Sequence, residues 1–407
     1  LQKMAKSLDC LKRELLFEIN FVNNIGRKVF AYPFIERSRA SLFFYRATYF
    51  LVVLTSSQLF VTLCLTRFKD WFEIINIAPN FGVCLMIVIK YSKIYSHKGT
   101  YNKIFNHFRN EVWDVVVDSI DHRTILERYT KTTRLIVRFQ FYYTIILIVI
   151  VDLFPRIIMF YESKILGKDE YLYPFDAWYP FDKIEWYYTA YIWESFMTAL
   201  VIFIYVFANM IHISYTRHIC MELKILGNSM ENLITSADVT KITKNKDAKE
   251  AHAEVKMKLK VIIQRHQYLA EITSELDEVL GDAMLLTYIF GSVFICLTAF
   301  TATVVGDIYM TLRYFSFFFS LLVEIFFQCI IGQILIDHSE KFERAIYFAD
   351  WPHAELKTKK MVLILLTRAQ KPFVYSANGY LTMNLDTFCG ICSLSYQFFN
   401  LLRTAYN

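Results

Sequence analysis

ATYFLVVLTSSQLFVTLCLT (47–66), SFMTALVIFIYVFANMIHISYT (195–216) and AMLLTYIFGSVFICLTAFTATVVG (283–306) decide the fold. They contain no Asp, Glu, Lys or Arg over 20, 22 and 24 residues. A helix needs ~20 such residues to cross the hydrocarbon core of a bilayer. Four further apolar stretches, 74–89, 135–161, 308–336 and 381–402, bring the expected spans to seven. The last three hold Asp152 and Arg156, Glu324, and Asp386. A charge facing lipid is costly, so these helices are expected to turn one side to protein or water. All seven are expected as helices, because lipid offers backbone groups no other partner.

The rest of the 407-residue chain agrees with a membrane reading. Hydrophobic residues make up 55% and aromatics 17%, against 20% charged. That excludes intrinsic disorder, collagen-like repeats and a disulfide-bonded secreted scaffold. The eight cysteines lie mostly within apolar runs and read as small buried hydrophobes. The first forty residues are charged throughout, so no cleaved signal peptide is expected. Net charge is +6, which reflects basic loops rather than nucleic-acid binding. Between the spans, 35 Lys and Arg fall on the side of the N-terminus and 8 on the other. The positive-inside rule then places the N-terminus in the cytoplasm and the C-terminus outside. A seven-helix receptor coupled to G proteins has the opposite orientation.

The expectation is an all-α membrane protein with seven transmembrane helices and long cytoplasmic helical extensions. Residues 1–42 form an N-terminal segment, 43–340 hold the first six spans, and 341–407 hold a cytoplasmic helix and the seventh. Apolar spacing predicts helices over 111–131 and 248–280, and the fourth span continues through 221–234. The polar stretch 236–246 is expected as the loosest loop. ELKTKKMVLILLTRAQ (355–370) predicts a helix ended by Lys371-Pro372, with 372–379 breaking the chain before the seventh span. Between spans three and four, YLYPFDAWYPFD (171–182) alternates aromatics and prolines with acids. It reads as a rigid lid over the helix ends, or as an interfacial aromatic belt. No phosphate-binding loop, nucleophile elbow or HExxH is present, Asp337-His338 reads as a solvated helix end, and neither enzyme activity nor a cofactor or metal is expected.

Several segments resemble the insect odorant receptor family. They are Lys371-Pro372, LTMNLDTF (381–388) and SYQFFNLLR (395–403) at the C-terminus, AIYFADW (345–351) before it, QRHQYL (264–269) on the helix leading to span five, and WYPFD (178–182) in the lid. The related gustatory receptors carry Thr-Tyr, five hydrophobic residues, then Gln-Phe. Here Tyr396 is followed directly by Gln397-Phe398. The resemblance implies a ligand-tuning subunit of a four-subunit, non-selective cation channel in the plasma membrane of sensory neurons. It assembles with the odorant receptor co-receptor (Orco), a homotetramer remaining open, and its partners are a small volatile odorant, membrane lipid and permeating cations. A gustatory-type channel of the same superfamily is the alternative.

On the seventh helix, Leu394, Phe398, Leu401 and Ala405 share one face at 100° per residue, flanked by Gln397 and Thr404. The resemblance implies that Leu401 forms the gate and Ala405 lies near the outer mouth; ordinary helix packing is the other reading of the stripe. It also implies an odorant pocket in the outer half, between spans two, three, four and six. The candidates are Phe72, Ile75, Asn76 and Pro79 on span two, and Ile148, Asp152, Pro155 and Met159 on span three. Span four offers Tyr188, Tyr191, Ser195 and Thr198, and span six offers Tyr314 and Phe318. Asp152 either pairs with Arg156 or meets a polar ligand group.

Overall fold

The computed structural model describes residues 7–31, 39–65, 71–114, 119–167, 171–243, 248–306 and 308–406. The chain is almost wholly helical, in the order α1 (Leu8–Lys28), α2 (Arg39–Leu65), α3 (Trp71–Ser96), α4 (Lys98–Asn106), α5 (Ile120–Tyr161), α6 (Tyr187–Glu231), α7 (Ser236–Thr243), α8 (Ala248–Val304), α9 (Ile308–Phe348), α10 (Leu356–Ala369) and α11 (Leu385–Tyr406). A two-residue hairpin, β1 (Ser376–Ala377) and β2 (Leu381–Thr382), precedes α11. Among the described residues six helices, α2, α3, α5, α6, α8 and α9, are long and apolar enough to cross a membrane. The seventh expected span is α11, at 22 residues long enough but more polar.

Each apolar stretch lies inside a longer helix. The 57 residues of α8 extend ~85 Å at 1.5 Å per residue. Only its apolar half is needed for a bilayer, so its charged half, from Lys249 to Asp282, projects beyond. The same holds for the latter part of α6. The molecule therefore has a lid end, where 171–186 folds, and a long-helix end, where α1, α4, α7 and α10 gather around the extensions of α5, α6, α8 and α9. α6 is the central post, packed against α5 and α9.

Local chemistry sets several boundaries. Ser119 Oγ accepts the His122 N–H at 3.1 Å and caps α5. The expected helix over 111–131 therefore begins only at Ile120, after a π turn and a 3₁₀ turn at 107–114. The stretch expected as the loosest loop is helical over α7. Thr235 and Asp238 exchange hydrogen bonds in a reciprocal cap, Thr235 N–H to Asp238 Oδ2 at 3.0 Å and Asp238 N–H to Thr235 Oγ1 at 3.3 Å. Residues 244–247 of that stretch lie outside the described residues. α10 ends at Ala369, before Pro372, as the sequence predicts.

The break before α11 is a clamp. Ser376 N–H donates to Asp277 Oδ1 of α8 at 2.5 Å, and Asn378 Nδ2 donates to Asp282 at 2.8 Å. The turn places Asn378 and Gly379 at positive φ, the latter a conformation glycine adopts without strain. On the α9 side the chain presses on Gly332, where a Cβ would stand 2.0 Å from the Met383 carbonyl oxygen. Asn384 Oδ1 accepts the Thr387 N–H at 2.9 Å, so α11 starts at Leu385 rather than at residue 381.

Candidate functional site

The lid is anchored from below by one buried carboxylate. Glu194, in the third turn of α6, is fully buried. Its Oε2 accepts the N–H groups of Phe175 and Asp176 at 3.0 and 3.1 Å. Its Oε1 accepts the Ala177 N–H at 3.1 Å and the Tyr179 hydroxyl at 3.3 Å. A buried charge is tolerated where its lone pairs are filled in this way. The remaining latches come from other helices. The Trp178 N–H donates to Thr62 Oγ1, its carbonyl accepts from Gln58 Nε2, and Arg313 of α9 donates to the Pro174 carbonyl. The 171–182 segment is thus a lid tied to α2, α6 and α9, although Trp178 and Phe181 remain exposed.

Beneath it lies a cavity of about 220 Å³. Pro174 and Phe175 form its roof. α2 contributes Thr55 and Leu59, and α3 contributes Asn80, Val83 and Cys84. α5 supplies Tyr143, Leu147, Val151 and Phe154, and α6 supplies Met197, Val201 and Tyr205. α9 closes the wall with Arg313, Ser320 and Leu321, and Gln140, Glu324 and Phe327 lie at its deep end. Mostly apolar walls with a few placed polar groups are the usual design of a small-molecule site.

The sequence candidates divide around this cavity. Pro155 and Thr198 line it. Asp152, Met159, Tyr188 and Tyr191 gather beside it, in an aromatic cluster with Tyr173 and Tyr187. There the Tyr191 hydroxyl donates to the Asp152 carbonyl. The Arg156 guanidinium lies 4.2 Å from the Tyr191 ring centroid. Ser195 is the side-chain neighbour of Asp152. Ile148, Ile75, Pro79, Tyr314 and Phe318 do not line the cavity; Ile75, Pro79 and Tyr314 are buried and the other two half-buried. The side chains of Phe72 and Asn76 lie outside the described residues. α3, α5 and α9 therefore meet the cavity through neighbouring positions: Asn80 rather than Pro79, Leu147 and Val151 rather than Ile148, Phe317 and Leu321 rather than Phe318.

Sequence reading missed the polar floor. Lys90 of α3, 6% exposed, donates to Asn209 Oδ1 at 2.9 Å and lies 4.1 Å from the Tyr205 ring centroid. Asn209 Nδ2 donates to Glu324 Oε1 at 2.8 Å, and Gln328 Nε2 donates to the same oxygen at 2.6 Å. A smaller cavity of about 40 Å³ continues below, sharing Gln140, Glu324 and Phe327 with the first and reaching Tyr375 and Met383 ahead of α11. The available clue was Glu324 itself, a charge within an apolar span.

On α11 the candidates Leu394, Gln397, Phe398, Leu401, Thr404 and Ala405 are all exposed, Leu401 by 64%. Ser395 is buried and donates to the Ser292 carbonyl of α8 at 3.0 Å. Among the described residues no cluster of His, Cys, Asp and Glu could hold a metal ion. His338 is engaged by the Ile334 carbonyl and the Tyr129 hydroxyl.

Known proteins share this architecture. The profile of the family described as 7tm Odorant receptor matches residues 73–396. Putative odorant receptor 85d of Drosophila melanogaster is 32% identical over 148 residues, 36% of each chain. Odorant receptor 67c of the same species is 22% identical over 338 residues, 82% of this chain and 80% of the relative. The solved structure of the insect olfactory receptor OR5 from Machilis hrabei in complex with eugenol superposes with a TM-score of 0.79. It covers 97% of this chain and 99% of that one at 17% identity.

Proposed function

Because this chain belongs to the 7tm odorant receptor family, whose members are receptors and not enzymes, we propose that it is the ligand-tuning subunit of an odorant-gated cation channel. It takes a small volatile odorant into the roofed cavity and opens a central pore lined by α11, within a tetramer completed by a co-receptor subunit or by copies of itself. The N-terminus is cytoplasmic, the C-terminus extracellular, and the membrane is the plasma membrane of a sensory neuron. The observation that carries this reading is the roofed, mostly apolar cavity under the lid, in a bundle alike in fold to a receptor solved with eugenol. The exposed apolar stripe of α11 supports the pore assignment, since exposed apolar side chains on a helix packed mainly against α8 and α9 call for neighbouring subunits.

The test is current recorded from cells expressing the chain with and without a co-receptor. Odorant-evoked current is expected, and Val201→Phe, which fills the cavity, abolishes it at normal surface expression. At the proposed gate, closure depends on apolar side chains expelling water. Leu401→Gln therefore raises resting current, while Leu402→Gln, on the half-buried side, does not. A normal dose–response curve in Val201→Phe would refute the site.

A further inference from the structure

α5 and α9 both pack on α6, with little direct packing on each other. Their inner parts are joined. The Tyr129 hydroxyl meets His338, and the Phe139 and Phe327 rings lie 6.2 Å apart. Above that contact the cavity lies between the two helices. Three residues that line it, Phe139 and Ile150 of α5 and Ser316 of α9, are also exposed, the first two by 54% and 49%. A side chain that borders a cavity and half faces outward marks where the cavity reaches the surface. The cavity therefore has a mouth on its side, a seam between α5 and α9. The Phe139–Phe327 contact bounds it below, and Arg313, held to the Pro174 carbonyl of the lid at 3.1 Å, bounds it above. Ser316 donates to the Leu312 carbonyl of its own helix at 2.8 Å, so it leaves room at the mouth without presenting a spare hydroxyl proton.

Depth decides what adjoins the mouth. The seam falls within the spans 135–161 and 308–336. Over 139–153 α5 exposes only apolar side chains and Tyr142, and over 312–326 α9 exposes only apolar side chains and Ser316. Such a surface at that depth fits acyl chains. Neighbouring subunits lie elsewhere. α11, the helix proposed to meet them, sits on another flank of α9, where Phe326 faces Phe388 at 5.4 Å. Each methylene of a ligand favours hydrocarbon over water about fourfold, so apolar molecules are concentrated outside the seam before they bind.

We propose that ligands reach the cavity sideways from the acyl-chain region of the bilayer, through the seam between α5 and α9, while the lid stays latched. This rests on the reading of the cavity as the ligand site. The route itself selects neutral, apolar molecules small enough to pass between Ile150 and Ser316. Ions are excluded before they touch the cavity, because a charge at that depth is costly.

The experiment reads access directly and needs no odorant. The full chain carrying Thr198→Cys is placed in phosphatidylcholine vesicles; Thr198 lines the cavity and is half-buried. The probes, added on both faces, are methyl methanethiosulfonate, neutral and small, and its trimethylammonioethyl analogue, permanently charged. Each forms a disulfide with the thiol and releases methanesulfinic acid. Peptide masses give the rate at each cysteine, and Cys64, exposed at the lid end of α2, reports that both reagents reach that end. The neutral reagent is expected to modify Thr198→Cys, and the charged one about a hundredfold more slowly relative to Cys64. Ile150→Trp and Ser316→Trp, one on each wall of the mouth, should each slow the neutral reagent about tenfold. Val149→Trp, exposed at the same depth but off the cavity, and the latch variants Gln58→Ala and Thr62→Val should leave the rate unchanged. Each variant is checked for a melt near that of Thr198→Cys alone; Ile150 already faces outward, so a tryptophan there is tolerated if one at Ser316 is not. No modification by either reagent, similar rates for both, no slowing by the mouth variants, or equal slowing by Val149→Trp overturns the proposal. A rate that rises in the latch variants also overturns it and moves entry to the lid. These rates report access whether or not an odorant binds, so the cavity as odorant site stands or falls separately, by Val201→Phe.

Discussion

Along α6 the burial pattern changes character at Phe207. From 187 to 206 the buried residues are Tyr187, Ala190, Tyr191, Glu194, Met197, Val201 and Ile204, three or four positions apart except for the adjacent pair Ala190 and Tyr191. That is a helix with one face in the core and another free to wall a cavity. From 207 to 227 everything but His212 and Lys224 is buried. Here the helix is packed against α1, α3, α5, α8 and α9. The lid half therefore keeps space and few direct ties between its walls, while the long-helix half is close-packed and fixes charge in its interior. A receptor needs both, a chamber whose walls adapt and a frame that transmits their movement.

The largest expected effect breaks the frame. His107 Nε2 lies 2.9 Å from Glu222 Oε2, with both side chains fully buried, and its Nδ1 lies 3.0 Å from Glu111. Arg265 Nε approaches the other Glu222 oxygen at 2.7 Å, a charge contact rather than an aligned hydrogen bond. Glu222→Leu leaves both partners facing an apolar side chain, and loss of one member of a buried pair costs about 3–5 kcal/mol. The melting temperature and surface expression should collapse together. A near-normal melt would show that the long-helix half is wetter than its packing implies.

A pH dependence follows from His266. Its ring lies between Phe342 and Phe373, at centroid distances of 4.8 and 5.1 Å, and neither nitrogen has a partner among the described residues. Burial, with Arg368 nearby, pushes its pKa down to about 4. The neutral ring is thus the native form, whereas the unfolded chain takes up a proton below the ordinary value of about 6.5. Its contribution is complete above pH 6.5 and is lost as pH falls from there to about 4, with a cost of order 3 kcal/mol at the low end. In His266→Phe the melting temperature should fall less between pH 7 and pH 4 than in the wild type. Parallel curves would remove His266 from the account.

Glycines sharpen the same contrast at smaller magnitude. At Gly332 the obstacle to a Cβ is the Met383 backbone, which cannot swing aside. At Gly82, in a stretch of α3 that borders the cavity, the obstacle is the Phe294 ring at 2.5 Å, the far end of a side chain. Gly332→Ala should cost about 1–3 kcal/mol and disturb the entry to α11, whereas Gly82→Ala should cost less. Thermal melts of the two variants decide it, and an equal or larger loss at Gly82 would mean that the lid half has no slack.

The sequence made the spans, the extension of α6, the α10 helix and the break at Pro372 legible, because each rests on local chemistry: a run of apolar residues, a helical period, a proline. It misled where a charge served as a boundary. Lys90 and Glu194 stand just outside the apolar stretches of spans two and four, yet both helices run on and bury them. The rotation of each helix was legible only to about one position. α5 is apolar all round through 145–151, so its sequence does not say which face meets the cavity. That choice is made by the lid and by the packing of α6, neither of which is local. The cap of α7 was readable in Thr235 and Asp238, a pattern overridden by the polarity of the stretch.

The finest separation of the two halves uses one substitution twice on one helix. Thr198 lines the cavity and is half-buried. Thr216, five turns further along α6, is 1% exposed and shares a hydrogen bond of 3.0 Å with the Tyr375 hydroxyl. Thr→Val preserves shape and removes only the hydroxyl. At Thr216 it strands the buried Tyr375 hydroxyl, and the cost should be about 1 kcal/mol, with ligand preference unchanged. At Thr198 the melt should move by less than about 0.5 kcal/mol, because no packing contact is lost. The odorant dose–response curve, however, should shift, since one of the few polar groups on the cavity wall has become apolar. The measurement is a melt and a dose–response curve for each variant at matched surface expression. If Thr216→Val shifts the odorant response and Thr198→Val does not, the roles of the two halves are reversed, and the ligand acts below Phe207 rather than under the lid.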